Sequence, residues 1–166
     1  MSDTAHGAAW TSGDRFPSLA ARDLERTGRT LPGAFTGAWN LVVVAFRRQQ
    51  QSQVDTWVSW HGSVAPDRPG FECWEIPVIG TMWSPARSFI DGGMAQAVRE
   101  THARQHTLTV YTNVAKATYA LDITDTRTVT VLLVDGDGRI RWRTTGESDD
   151  ASTAEVLTLV DAPAAG

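Results

Sequence analysis

The stretch LVVVAFRRQQQSQVDTWVSWH, residues 41–61, decides the fold. Its first part, Leu41 to Phe46, is apolar at every position, as a strand covered on both faces requires. Its second part sets Val54, Trp57, Val58 and His61 at i, i+3, i+4 and i+7, one face of a helix running from about Gln50 to His61. Between the two lies a polar, basic turn, Arg47 to Gln51. Open α/β sheets bind ligands where a strand ends and a helix begins, so this turn is read first for chemistry. It carries arginines and glutamines and no nucleophile.

Downstream, residues 62–70 (GSVAPDRPG) read as a loop and 71–79 (FECWEIPVI) as a strand. Pro77 has no amide hydrogen, so it belongs on an edge strand or at a strand end. Ser84–Pro85 is a helix-start signal, Gly92–Gly93 an interruption, and Met94, Ala97 and Val98 a later apolar stripe. Residues 107–113 (TLTVYTN) suit a short strand. In 128–144 (TVTVLLVDGDGRIRWRT) a continuous apolar strand, Val129 to Val134, meets Asp-Gly-Asp-Gly and then an alternating strand, a tight hairpin. Alternation predicts Ile140 and Trp142 facing in, with Arg139, Arg141 and Arg143 facing out. Ser152 and Glu155 form a capping-box pattern that predicts the start of a final helix, with Val156, Leu157, Leu159 and Val160 turned to the core. Upstream, Gly28 and Pro32–Gly33 punctuate short apolar pieces that suit a hairpin. The expected organisation is a flexible tail over 1–14, one domain over 15–162 and a short tail over 163–166.

Strand, helix, strand, helix, hairpin, helix is the order of a thioredoxin-like α/β domain, a central mixed sheet flanked by helices, here with an N-terminal strand or hairpin extension. The likeness continues in detail. GRTLPGAFTGAWNLVVVAF resembles the lead-in of redoxin proteins. VAFRRQQQSQVDTWVSW, WEIPVI and VLLVDGDGRIRW, followed by a Gly and a Glu, resemble the Atp-ten family, thioredoxin-like assembly factors of the ATP synthase, over most of residues 16–160. The resemblance implies that fold and a role in gripping a client protein.

Composition excludes several classes. The chain has 166 residues, 42% hydrophobic and 20% charged, ordinary for a globular domain. A formal net charge of −4 argues against general nucleic-acid binding. No apolar run approaches the ~18 residues of a membrane span. The first residues lack the basic and apolar regions of a secretory signal, so a cytoplasmic location is expected.

A redox-active relative would carry CxxC at the start of the helix after the central strand, where free amides and the helix dipole lower a thiol pKa. Here Arg47 to Gln53 holds no sulfur, and Thr126-Arg127-Thr128-Val129 holds no proline where such proteins place a cis one. Disulfide exchange and peroxidase chemistry are therefore not expected. Cys73, the single cysteine, reads as a buried, inert thiol inside a strand. His102 and His106, with Glu100 nearby, read as a solvated helix end rather than a metal set. His61 suits a helix C-terminus through the dipole. Asp135 and Asp137 read as turn residues, since the remaining ligands of a calcium loop are missing. No metal or cofactor is called for.

What remains is the arginine–glutamine turn. A helix N-terminus offers unpaired amides and a positive dipole end. Arg47 and Arg48, with Arg127 from the opposite loop, add charge suited to an anion. Gln50 and Gln53 add neutral donors and acceptors. These five residues are the expected ligand-binding site, for a carboxylate, a phosphate or an acidic segment of a partner. Two function classes follow. The first is a binding or assembly factor holding a client protein. The second is a cofactor-independent, non-redox enzyme acting on an anionic organic small molecule, with the seven tryptophans as aromatic walls and Asp55, Glu72 or His61 as candidate bases.

Overall fold

A computed structural model of the chain describes residues 13–79 and 106–162. In order it holds β1 (Leu19–Arg22), β2 (Gly28–Leu31), β3 (Trp39–Ala45), α1 (Gln51–Val64), β4 (Phe71–Ile79), β5 (Val110–Tyr111), α2 (Val114–Leu121), β6 (Thr130–Asp135), β7 (Ile140–Thr145) and α3 (Asp150–Val160). Strands β1 and β2 form an antiparallel hairpin. The main sheet has the order β5-β4-β3-β6-β7. β3 runs parallel to β4 and antiparallel to β6, and β6 is antiparallel to β7. This is the mixed sheet with an N-terminal hairpin that the sequence predicts.

β3 is central because it is apolar on both faces. Leu41 and Val43 join Val54 and Trp57 of α1, Phe71, Val129, Val131, Leu133 and Val156 in one core cluster. Val42 and Val44 join Trp74, Ile76, Leu121, Leu132 and the hairpin residues Ala21 and Leu31 in the other. All four β3 side chains are fully buried. Burying one such side chain stabilises by roughly 1.5–3 kcal/mol, so the strand is held from both layers. Gly37 precedes it where no side chain fits: a Cβ there would lie 2.7 Å from the carbonyl oxygens of Gly70 and Trp39.

β4 lies second from the sheet edge. Glu75 donates its amide to His106 O and accepts from Leu108 N. Pro77, two residues on, turns its ring nitrogen the same way, away from β3 and toward the irregular chain before β5. The missing donor is thus set where the ladder is already interrupted.

Five expectations are corrected. Ile140 and Trp142 do not share a face. Val134 pairs with Ile140 and Leu133 with Trp142, so Arg141 is an extra residue, and a bulge of this kind reverses the alternation. Ile140 enters the hairpin-side core and Trp142 packs on the α1 side. Arg143 is accordingly not simply exposed: its guanidinium donates to the carbonyls of Leu121 and Asp122 at the end of α2, 3.0 and 3.1 Å away.

The final helix starts earlier than the Ser152–Glu155 pattern indicates. Its N-cap is Asp149, whose carboxylate accepts from Ser152 N at 2.7 Å. Ser152 is inside the first turn, and Glu155 instead accepts from Trp142 Nε1 at 2.8 Å. Val156, Leu159 and Val160 make the core face; Leu157 is not part of it. His106 is not on a solvated helix end either. It stacks on Trp74 with ring centroids 4.2 Å apart and bonds Glu72 at 2.9 Å. Helix α2, capped by the Asn113 side chain on Lys116 N, is an element the sequence reading lacks. The helix expected from Ser84–Pro85 and the residues His102 and Glu100 lie outside the described residues, as do residues 1–12 and 163–166.

Candidate functional site

After β3 the chain passes Phe46, turns at Arg47 in an extended conformation, makes a short 3-10 turn over Arg48–Gln50 and enters α1. Gln50 closes this turn. Its Oε1 accepts from Phe46 N (2.8 Å) and Arg47 N (3.2 Å), and its Nε2 donates to Thr126 O (2.7 Å). The residue is buried, with 3% exposure. One helical turn on, Gln53 Oε1 accepts from Val129 N (3.0 Å) and Thr128 Oγ1 (3.1 Å). Gln50 therefore uses both ends of its amide, and Gln53 its carbonyl oxygen, within the protein itself. They tie the start of α1 to residues 126–129, the segment that leads into β6.

The same helix face continues the attachment. Thr56 Oγ1 accepts from Ser148 N at 3.0 Å, and Trp57 Nε1 donates to Gly146 O at 2.8 Å. The helix C-terminal half is held by His61, whose ring nitrogen Nε2 is 2.8 Å from Phe71 O. A carbonyl only accepts, so His61 carries a proton on Nε2. The ring is buried and meets Phe71 edge-on, which makes it a packing residue.

The arginines behave differently. Arg47 and Arg48 are exposed. Arg127 is exposed too, and its Nε and one terminal nitrogen lie 3.0 and 3.2 Å from the two carboxylate oxygens of Asp125. The bond to the Arg127 side chain, the Arg127 amide and the nearby charge of Arg47 hold Asp125 below the usual carboxylate range. The structure thus brings Arg47, Gln50, Gln53 and the Arg127 loop to one end of the sheet, with the glutamines directed inward and the guanidiniums outward. Among the described residues Asp125 pairs with Arg127, and the charge of Arg47 also reaches that carboxylate.

Cys73 sits on β4 opposite Leu41, half-buried against the α1-side core. Burial above all, then the carboxyl groups of Glu75 and Glu72, pushes its thiol far up. Such a thiol stays protonated and is a poor nucleophile. Glu75 shares that face of β4, and burial pushes its carboxyl up against a bond from Gln51, with Asp55 adding to the rise. Asp135 is a turn residue: its Oδ1 accepts from the amides of Asp137 and Arg139 and its Oδ2 from Arg141. Of the tryptophans described, Trp57 and Trp74 are core residues, and Trp39, Trp60 and Trp142 pack against the α1-side cluster. Among the described residues no three His, Cys, Asp or Glu side chains converge as a metal set. No described helix is long and apolar enough to cross a membrane.

The signals that sequence reasoning missed are local. Asn40 has no motif, yet it is buried and uses all four of its bonds: Oδ1 accepts from Gly37 N and Trp74 Nε1, and Nδ2 donates to Gly37 O and Val134 O. Asn113, as an N-cap residue type, was the one available sign of α2.

A sequence model of the ATP10 protein family matches residues 12–161. No curated protein matches the sequence. Among solved structures, the chain is similar to the thioredoxin domain of a thiol-disulfide oxidoreductase from Bacteroides vulgatus, with 18% identity, a TM-score of 0.60 and coverage of 90% of this chain and 99% of that one. It is also similar to a thiol:disulfide interchange protein from a Bacteroides species, with 16% identity, a TM-score of 0.61 and coverage of 93% of each chain. At these identities the likeness is one of fold.

Proposed function

The chain belongs to the ATP10 protein family, and on that basis we propose that it is a thioredoxin-like assembly factor that binds a client protein without thiol chemistry. The observation that carries this reading is the remaking of the thioredoxin active-site position. The segment Arg47–Gln53 holds no sulfur. Its glutamines lock the helix start to residues 126–129, and its arginines remain outside. A rigid end of the sheet with Arg47, Arg48 and Arg127 on its rim suits recognition of an acidic client segment, since guanidinium groups bind carboxylates in paired bonds. In this reading Gln50 and Gln53 position the surface rather than touch the client. By the family resemblance the client is a subunit of the ATP synthase.

The enzyme reading draws no comparable support. Its aromatic wall was to come from tryptophans, and Trp57 and Trp74 are buried in the cores. His61 is engaged with Phe71 O and Glu72 with His106.

The test is co-purification of the tagged chain with ATP-synthase subunits from its own cells, comparing the natural protein with Arg47→Ala combined with Arg48→Ala. Retention by the natural chain and loss by the double variant, with an unchanged circular dichroism spectrum, is the expected result. Equal retention removes the arginine site. Absence of any synthase subunit from both removes the client.

A further inference from the structure

At the arginine end of the sheet one carboxylate is already in place. Asp125 and Arg127 stand on either side of Thr126, whose carbonyl accepts from Gln50 Nε2 at 2.7 Å. The side-chain oxygen of the same Gln50 accepts from the amides of Phe46 and Arg47, at 2.8 and 3.2 Å. A single buried amide group therefore ties the loop of Asp125 and Arg127 to the backbone of Arg47. Asp125 is anchored at the start of α1 by the fold itself.

The Asp125 carboxylate is used twice. Its Oδ1 accepts from the Arg127 amide at 2.8 Å, which closes the loop. Its two oxygens also take Nε and one terminal nitrogen of the Arg127 guanidinium, at 3.0 and 3.2 Å. This is the paired geometry in which a guanidinium binds a carboxylate from any source. The positive charge of Arg47 reaches the same carboxylate. Asp125 thus stands toward Arg127 as the acid group of a client would. The contact is also easily opened. The side chains of Arg127 and Asp125 are 81% and 41% exposed, and an ion pair so open to water is weak and screened by salt.

We propose that Asp125 is an internal competitor at the client site: in the free chain it occupies Arg127, and an acidic segment of the client displaces it on binding. The inference rests on the client reading above and adds the device that restrains it. Two effects act together. Asp125 covers the edge of the guanidinium that offers two donors side by side, and its negative charge opposes a second carboxylate at the remaining donors. The pair therefore sets the affinity threshold that a client must exceed.

The test is a titration of the full chain with an acetylated, amidated tetraglutamate peptide at constant ionic strength, read by two-dimensional amide NMR. The peptide should shift the signals of Arg47, Arg48 and Arg127 saturably. Asp125→Asn keeps an Oδ1 that accepts from the Arg127 amide, so the loop is preserved while the charge is removed. This variant should bind the peptide roughly threefold more tightly or better, the size expected when an exposed ion pair no longer competes. The gain should come through Arg127. Arg127→Gln should therefore weaken binding by a factor about threefold larger in the Asp125→Asn chain than in the natural one, a coupling that a change of net charge alone does not produce. Asp67→Asn removes the same charge beyond the other end of α1 and should leave the affinity within about 1.5-fold, since exposed charges farther apart than the screening length are largely hidden from one another. If the peptide saturates none of these signals in the natural chain or in Asp125→Asn, the arginine site fails and this inference falls with it. If the peptide binds but Asp125→Asn does not tighten it, if Asp67→Asn tightens it as much, or if Arg127→Gln costs the same factor in both chains, the role of Asp125 alone is overturned.

Discussion

Gln50 is the residue on which the unusual helix start depends, and its replacement tests the whole account of that end of the sheet. It makes three hydrogen bonds with the backbone, at 2.8, 3.2 and 2.7 Å, from a buried position. A net intramolecular hydrogen bond contributes roughly 0.5–1.5 kcal/mol. Gln50→Met keeps the volume and removes all three, so its expected cost is about 1.5–4.5 kcal/mol, from three bonds at that value each. Gln50→Ala removes the packing as well and should cost more. Urea unfolding followed by tryptophan fluorescence reads this directly, because Trp57 of α1 is fully buried in the same core cluster as Val129. The loop should also report it. Residues 126–129 are held to α1 by Gln50 and Gln53 alone among the side-chain bonds described here, so their amide protons should exchange faster in Gln50→Met while those of β3 change only with global stability. Loss of less than about 0.5 kcal/mol, the usual range for an exposed site, with unaltered exchange, would refute the reasoning. It would mean that water replaces the glutamine at no cost and that the helix start is not locked.

Other expected outcomes concern the cap, the buried carboxyl and the thiol. Asp149→Ala should destabilise by roughly 0.5–2 kcal/mol as a lost N-cap, whereas Ser152→Ala should stay within about 0.5 kcal/mol; the reverse order in thermal melts would return the cap to Ser152. Glu75 has a carboxyl raised by burial, so the folded state holds its proton more tightly than the unfolded chain. Its contribution is therefore full at acid pH and is lost as pH rises from the ordinary glutamate range through the raised value. Glu75→Gln should stabilise at neutral pH and leave acid stability little changed, and a pH-independent difference in unfolding free energy would contradict this. Cys73 should label with a thiol reagent far more slowly in the native protein than in denaturant, as its raised thiol implies. Insulin-disulfide reduction or peroxide turnover that Cys73→Ser abolishes would overturn the non-redox reading.

Much of the architecture was legible because it rests on local periodicity. The unbroken apolar run 41–46, the i, i+3, i+4, i+7 face of α1 and the Asp-Gly-Asp-Gly hairpin each report a side-chain pattern that one element must satisfy by itself. The absence of sulfur from Arg47–Gln53 was equally plain, since chemistry that needs a thiolate cannot be run without one. What needed the tertiary structure was every feature set by a partner distant in sequence. The bulge at Arg141 depends on how β7 registers with β6, and no alternation rule within β7 reveals it. His106 looked solvated because its partners, Glu72 and Trp74, lie more than thirty residues away. The choice between Asp149 and Ser152 was decided by where the chain enters α3 and by Trp142 claiming Glu155. The same holds at the helix start. Sequence placed Arg47, Arg48, Gln50 and Gln53 at one junction, but it could not divide them. A glutamine bonds whichever backbone groups the fold brings within about 3 Å, and here those include Thr126 O and Val129 N beside the local amides of Phe46 and Arg47, so the glutamines turned inward as structure and the arginines were left at the surface.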